Sequence, residues 1–237
     1  MISKLLTRLK RAAPSLTGQQ QSRLDHIKPK ISTSSSARLA TDRIVVVDVE
    51  TSGLSLADDH LIAIGAIGIH GGRIALADSF DLLLRQQVAS DKANILVHGI
   101  GGTAQRNGLP PEEALLAFLE FLDGAPLLAF HSAFDETMLR KACKKFLGFD
   151  FRHAWADLAC LLPELFPQHA KKCHALDDWL ARFAIHNDER HNALADAIAT
   201  AQLGLMALRG AQMKGLESFT ALQDMEKAQR WLSAARY

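Results

Sequence analysis

The chain has 237 residues, 48% of them hydrophobic and 6% aromatic, with a formal net charge of +1. That length supports one sizeable core and an appended segment. No apolar run approaches 18 residues, which excludes a membrane-spanning helix, and three scattered cysteines (Cys143, Cys160, Cys173) exclude a disulfide framework.

The cysteines read as small buried hydrophobes of a reducing, cytoplasmic compartment. The near-neutral charge hides an asymmetry. Of 27 basic and 26 acidic side chains, eight and one fall in residues 1–40, leaving 19 and 25 for the body. A basic tail therefore precedes a mildly acidic body, and no broad grip on a duplex is expected. An acidic site that holds metal ions can still take a nucleic-acid end.

Residues 1–12 (MISKLLTRLKRA) predict a short amphipathic helix, with Ile2, Leu5, Leu6 and Leu9 on one side. Residues 13–40 pass through Pro14, a glutamine run and a serine run. They read as a linker or loosely docked arm. The arm is either a solvated tail or a contact for nucleic acid, an anionic surface or a partner protein. Its Arg-rich, Ser-rich, acid-poor start also matches a mitochondrial transit peptide, which applies only to a eukaryotic source.

The main domain is expected over residues 41–210. Residues 44–47 are apolar and β-branched, as a buried strand requires. Thr51, Ser52 and Gly53 read as a turn. Asp48 and Glu50 thus sit at a strand exit, on one face, because side chains two apart in a strand point the same way. Residues 61–70 and 74–84 form a hairpin about Gly71-Gly72. Residues 87–110 are read as irregular. Residues 111–123 predict an amphipathic helix, opened by Pro111 and stopped by Gly124 and Pro126. Residues 127–130 (LLAF) predict a short buried strand, and 131–147 a helix with Asp135 in its first turn. Helices are also expected over 154–166, 175–185 and 190–209. Residues 211–237 contain a closing helix, predicted over 216–235, that packs on the domain or extends it. Strands first and helices later indicate an α/β layer fold.

His191 and Asp196 are five apart, about 140° off one helical face. They meet only if His191 lies in the loop before the helix, with Asn192 as N-cap. Four carboxylates now stand at the edges of apolar elements: Asp48, Glu50, Asp135 and Asp196. Their convergence without counter-ions is very unfavourable. Two divalent cations, Mg²⁺ or Mn²⁺, about 3.5–4 Å apart would satisfy them and clamp an in-line displacement at phosphorus. His191 suits the base that takes a proton from water.

The stretches DVETSG, HSAFD and HNALADA, in this order and spacing, resemble the three motifs of the DEDDh branch of the DEDD 3′–5′ exonucleases. VHGIGG at 97–102 resembles the family's His-Gly-Ile-Thr loop. The resemblance covers roughly residues 42–208. It implies an RNase H-like mixed five-stranded sheet flanked by helices, with the basic N-terminal extension lying outside it. It implies two Mg²⁺ or Mn²⁺ ions and release of nucleoside 5′-monophosphates from 3′ ends of single-stranded DNA or RNA. By motif, Asp48, Glu50, Asp135 and Asp196 are the metal ligands and His191 the general base. Thr51 and His98 are contacts to the terminal nucleotide. Two departures, Ser132 for Asn and Gly101 for Thr, bear on substrate positioning. A DNA polymerase as partner, in proofreading or repair, and a homodimer remain open. So do a phosphodiesterase of short oligonucleotides and a non-catalytic binding module. Asp157 and Asp178 read as helix caps or surface groups.

Overall fold

Ile44–Thr51 forms the central strand β1 of a five-stranded sheet ordered β3-β2-β1-β4-β5. The computed structural model describes residues 14–234; the predicted helix over 1–12 lies outside them. β2 (Leu61–His70) and β3 (Arg73–Leu83) form the hairpin expected about Gly71-Gly72. β2 pairs antiparallel with β1. β4 (Leu127–Ala129) and β5 (Trp155–Asp157) run parallel to β1. The sheet is therefore mixed.

Alternation along β1 builds two cores, one on each face. Val45, Val47 and Val49 face one layer, against α4 (Pro111–Leu122) and α5 (Ser132–Phe146). Ile44 and Val46 face the other, against α6 (Leu158–Leu165), α7 (Leu176–Arg182), α8 (Ala193–Met213) and α9 (Phe219–Ala234). The same period sends Asp48 and Glu50 toward α8. β1 continues to Thr51, with a bulge between Glu50 and Thr51. Both carboxylates thus lie near the end of β1, with the strand running one residue past Glu50.

The linker reading of residues 13–40 is corrected. α1 (Gly18–Ile27) starts at a Thr17 N-cap with a reciprocal Gln20 capping box. Leu24 and Ile27 are buried in the core beside α4. Arg23 reaches Glu113 at 2.6 Å and Glu120 at 2.7 Å. Those part-exposed pairs are worth well under about 1 kcal/mol each. Burial of Leu24 and Ile27, at about 1.5–3 kcal/mol per side chain, holds the helix down. Composition hid this, since only two of ten α1 residues are buried.

Two further elements differ from expectation. Residues 87–110, expected to be irregular, contain α2 (Lys92–His98) and α3 (Gly102–Asn107). Asp91 caps α2, and Gly99 ends it at φ +69°. The predicted helix over 154–166 is a three-residue strand, β5, followed by α6. Three apolar residues are too few to display a period.

One glycine sets the distance between sheet and helix. Gly65 pairs with Asp48 across β2 and β1. A Cβ there would lie 2.1 Å from the Ala193 carbonyl carbon and 2.2 Å from Leu194 N. The start of α8 therefore rests directly on the β2 backbone. Gly65→Ala is expected to push α8 away, destabilising the fold by about 1–3 kcal/mol or more. A chemical denaturation midpoint equal to the parent's would show that α8 has room to spare.

Candidate active site

The site gathers at the end of β1, where three elements deliver carboxylates. Asp48 and Glu50 come from β1, half-buried. Asp196 comes from the first turn of α8 and is 3% exposed. Ligand oxygens of these three lie within 4.8 Å of one another. Asp135, from the first turn of α5, is 6% exposed, and its charge acts on Asp48 and Glu50.

Both helices are entered through a left-handed histidine, His131 at φ +60° and His191 at φ +64°. Such backbone is costly for a residue with a Cβ and needs an anchor. Each histidine has one. The His131 N–H donates to Asp157 Oδ1 at 2.9 Å, and the His191 N–H to Asp196 Oδ2 at 2.8 Å. Asn192 caps α8 through Ala195 N, as expected. His191 is thereby outside the helix, and its side chain is exposed.

The electrostatics follow from burial and crowding. Desolvation, then the charges of Asp135, Asp196 and Glu50, hold the Asp48 carboxyl well above its ordinary range. Desolvation and the Asp196 charge push Glu50 up to about 8. Burial likewise raises Asp135. Asp48, Glu50 and Asp135, buried and short of positive charge, resist ionisation. An all-oxygen set of this kind fits a hard divalent cation.

The cation present in the structure is Arg190, a residue that sequence reasoning passed over. Its Nη1 contacts Asp196 Oδ1, and its Nε lies 2.8 Å from Asp177 Oδ1. Asn187 Nδ2 donates to the same Asp196 oxygen at 2.6 Å. The Arg190 charge also acts on Asp48 and Glu50, against the upward push. Its position next to His191 was the available signal. Arg190→Gln is expected to tighten divalent-cation binding about tenfold by calorimetry, since a charge-assisted contact no longer competes for Asp196. Unchanged or weaker binding would show that Arg190 does not compete.

The two expected nucleotide contacts flank this cluster. Thr51 is buried and donates through Oγ1 to the Gly53 carbonyl at 2.7 Å. His98 is 6% exposed, and its Nδ1 accepts from Ile100 N at 3.0 Å. That places its proton on Nε2, toward Ser90 Oγ at 3.4 Å. Desolvation by burial is the main cause that lowers the His98 pKa.

Asp157 is a cap, as one of its readings had it, and not a surface group. It is 3% exposed and caps α6 through Ala159 N. Its Oδ2 accepts from Arg230 Nη2 at 2.9 Å. Glu226 accepts from the Asp157 N–H and from Arg230 Nε, both at 2.8 Å. The helix α9 thus braces β5 and, through Asp157, the turn that launches α5. Asp157, Cys160 and Glu226 form a second acidic group, with the Arg230 guanidinium set against it. Asp178 takes the backbone N–H groups of His174 and Ala175, a capping role as read.

The model of the exonuclease family matches residues 45–203. The chain belongs to the exonuclease family. That bears out the DEDD resemblance read from the motifs. A DNA polymerase III PolC-type protein of Thermotoga maritima is 32% identical over 183 residues, 77% of this chain and 13% of that protein. A DNA polymerase III subunit epsilon-like protein of Rhodobacter capsulatus is 32% identical over 181 residues, 75% of this chain and 25% of that protein. The chain thus spans about an eighth to a quarter of such relatives. Escherichia coli exonuclease I in complex with a dT13 oligonucleotide has a TM-score of 0.62 at 14% identity, covering 72% of this chain and 42% of that one. Exonuclease X in complex with 5′ overhanging duplex DNA has a TM-score of 0.59 at 16% identity, covering 77% and 99%. These structures share the exonuclease fold, the RNase H-like mixed sheet. Among the described residues, no helix is long and apolar enough to cross a membrane.

Proposed function

We propose that the chain is a cytoplasmic 3′–5′ exonuclease that releases nucleoside 5′-monophosphates from single-stranded ends. The observation behind this reading is the meeting of Asp48, Glu50 and Asp196 within 4.8 Å, beside buried Asp135 and exposed His191. Residues 41–210 form the catalytic unit.

Asp48, Glu50, Asp135 and Asp196 would hold two Mg²⁺ or Mn²⁺ ions. Held there, they would supply positive charge to offset the charge of the scissile phosphate and of the leaving 3′ oxygen. The chain's own residues do the remaining work. The carboxylates fix the position of the reacting phosphate by fixing its counter-charge. His191 takes the proton of the attacking water at a ring nitrogen. Its backbone is tied to Asp196 at 2.8 Å, so the base is registered to the ligand set. Thr51 and His98 border the terminal nucleotide. Arg190 pairs with Asp196, one of the carboxylates that would hold a cation.

Similarity to DNA polymerase III proteins favours work beside a DNA polymerase, and the DNA bound in the solved neighbours favours DNA over RNA. A gel time course decides. It uses 5′-labelled single-stranded DNA and RNA of one sequence, with Mn²⁺ or EDTA, beside Asp135→Ala. A metal-dependent ladder that shortens from the 3′ end, absent in the variant, is the expected result. No ladder on either polymer would overturn the reading.

A further inference from the structure

One fully buried polar side chain outside the carboxylate cluster has no part in the chemistry above. Gln105, in α3, is 0% exposed. Burying an amide is costly unless hydrogen bonds offset the lost water. Its Oε1 accepts from the Ser90 N–H at 2.9 Å and from the Ser90 hydroxyl at 3.1 Å. Its Nε2 donates to the Ile100 carbonyl at 2.8 Å. A backbone N–H can only donate and a carbonyl can only accept, so the amide has one possible orientation.

Ser90 and Ile100 are also the two residues that hold His98. The Ile100 N–H donates to Nδ1 at 3.0 Å, and Nε2 faces Ser90 Oγ at 3.4 Å. The Ser90 hydroxyl proton goes to Gln105, which leaves a Ser90 lone pair for the Nε2 proton. One glutamine therefore fixes the partners of both ring nitrogens. Three placements tie this arrangement to the site. First, Asn94 Nδ2 donates to the Ser52 carbonyl, two residues past Glu50. His98 is four residues beyond Asn94, on the same face of α2. Second, the Gln86 N–H donates to the Gln105 carbonyl at 2.8 Å, and Gln86 Nε2 to the Leu61 carbonyl of β2 at 3.0 Å. The glutamine is thus anchored to the sheet. Third, residues 99–101 (Gly-Ile-Gly) bring no polar side chain of their own to orient the loop.

We propose that Gln105 is a positioning residue for the nucleotide contact: it holds His98 in one orientation and one tautomer, so that the ring meets the terminal nucleotide through carbon, with neither nitrogen free. The inference rests on the exonuclease reading, in which His98 borders that nucleotide, and deepens it by naming the surface the ring presents. The contact is then one of shape and dispersion and involves no proton. A ring set in advance loses no rotamer freedom when the strand end arrives. An apolar side chain at position 105 would fill the same space without the cost of burying an amide. It would leave Ser90 and Ile100 free to turn, and the imidazole with them.

The test joins nitrogen NMR of the histidine rings to steady-state kinetics on the full chain. The His98 signals are assigned by their loss in H98Q. At about pH 7 the parent should show a bare Nδ1 and a protonated Nε2. Q105L should lose this single form and raise KM for single-stranded DNA about tenfold, with kcat within about twofold, as expected for lost uniform binding. A parent His98 protonated on Nδ1 overturns the proposal. So does a folded Q105L with the parental tautomer and KM, the result for a glutamine that only holds the loop. Should Q105L fail to fold, S90A removes the hydroxyl alone and should also raise KM, and S90T, which keeps a hydroxyl, should recover it. S90A with a parental KM overturns the proposal. If the parent cleaves no single strand with Mn²⁺, the exonuclease reading fails and the proposal with it; a failure of the proposal alone leaves parental cleavage intact.

Discussion

Asp135→Asn should abolish metal-dependent hydrolysis and, at pH 8, leave the metal-free chain more stable than the parent. Both effects come from one carboxylate. Asp135 is 6% exposed, and burial holds its pKa well above the ordinary carboxylate range. Glu50 behaves alike, pushed up to about 8. Such a group keeps its proton in the fold after the unfolded chain has lost it. Over that interval the folded state binds more protons, so stability falls as pH rises. For Glu50 the interval runs from its ordinary 4.5 to about 8. Each unit of such a rise is worth about 1.4 kcal/mol. Asparagine removes one member of the repelling set at nearly constant shape. It also removes one of the proposed metal ligands. Changes one shell further out already cost about 10–100-fold in metal affinity or activity, so a larger loss is expected here. Urea midpoints from pH 5 to 8, with and without Mn²⁺, read the first effect. The parent should weaken across that range without metal and much less with it. A variant with parental turnover, or a parent whose metal-free stability ignores pH, would remove Asp135 from the site.

His191→Ala should lower the rate by about 10²–10⁴-fold while divalent affinity stays near the parent's. The residue touches Asp196 only through its backbone N–H, at 2.8 Å, and alanine keeps that donor. Alanine also keeps a Cβ at φ +64°, so the backbone requirement is unchanged. What disappears is the exposed imidazole. A fall in metal affinity as large as that of Asp196→Ala would make His191 a ligand instead of a base.

The chemistry is easier to read in the sequence than the scaffold, for a physical reason. Asp48, Glu50, Asp135 and Asp196 each follow or interrupt an apolar run, so the pattern of hydrophobicity points at them. The Asn192 cap resolves the 140° conflict between His191 and Asp196 from residue order alone. Short or amphiphilic elements leave weaker traces. β5 has three residues, all buried, and merges into the apolar start of α6. α1 buries only two of its ten positions and stays down through Leu24 and Ile27. Arg190 looks like one more charge at a helix start. Its role emerges only once Asp177 and Asp196, on two different helices, are seen to share it. Gly65 could not be singled out either. Its neighbour is the backbone of residues 193–194, and no local pattern reports an approach across that separation.

The bracing of β5 by α9 sets a limit on trimming. The family match ends at residue 203, yet Glu226 and Arg230 are the groups that satisfy the buried Asp157 from outside the sheet. Cut at the match boundary, the chain would leave an acid that is 3% exposed facing a gap. A buried carboxylate stripped of its partner costs several kcal/mol. The loss would register first at the turn through His131 and then at Asp135. The smallest autonomous piece of this protein is thus longer than its recognisable catalytic core. A transplant of that core into another host must bring its own arginine to the foot of β5.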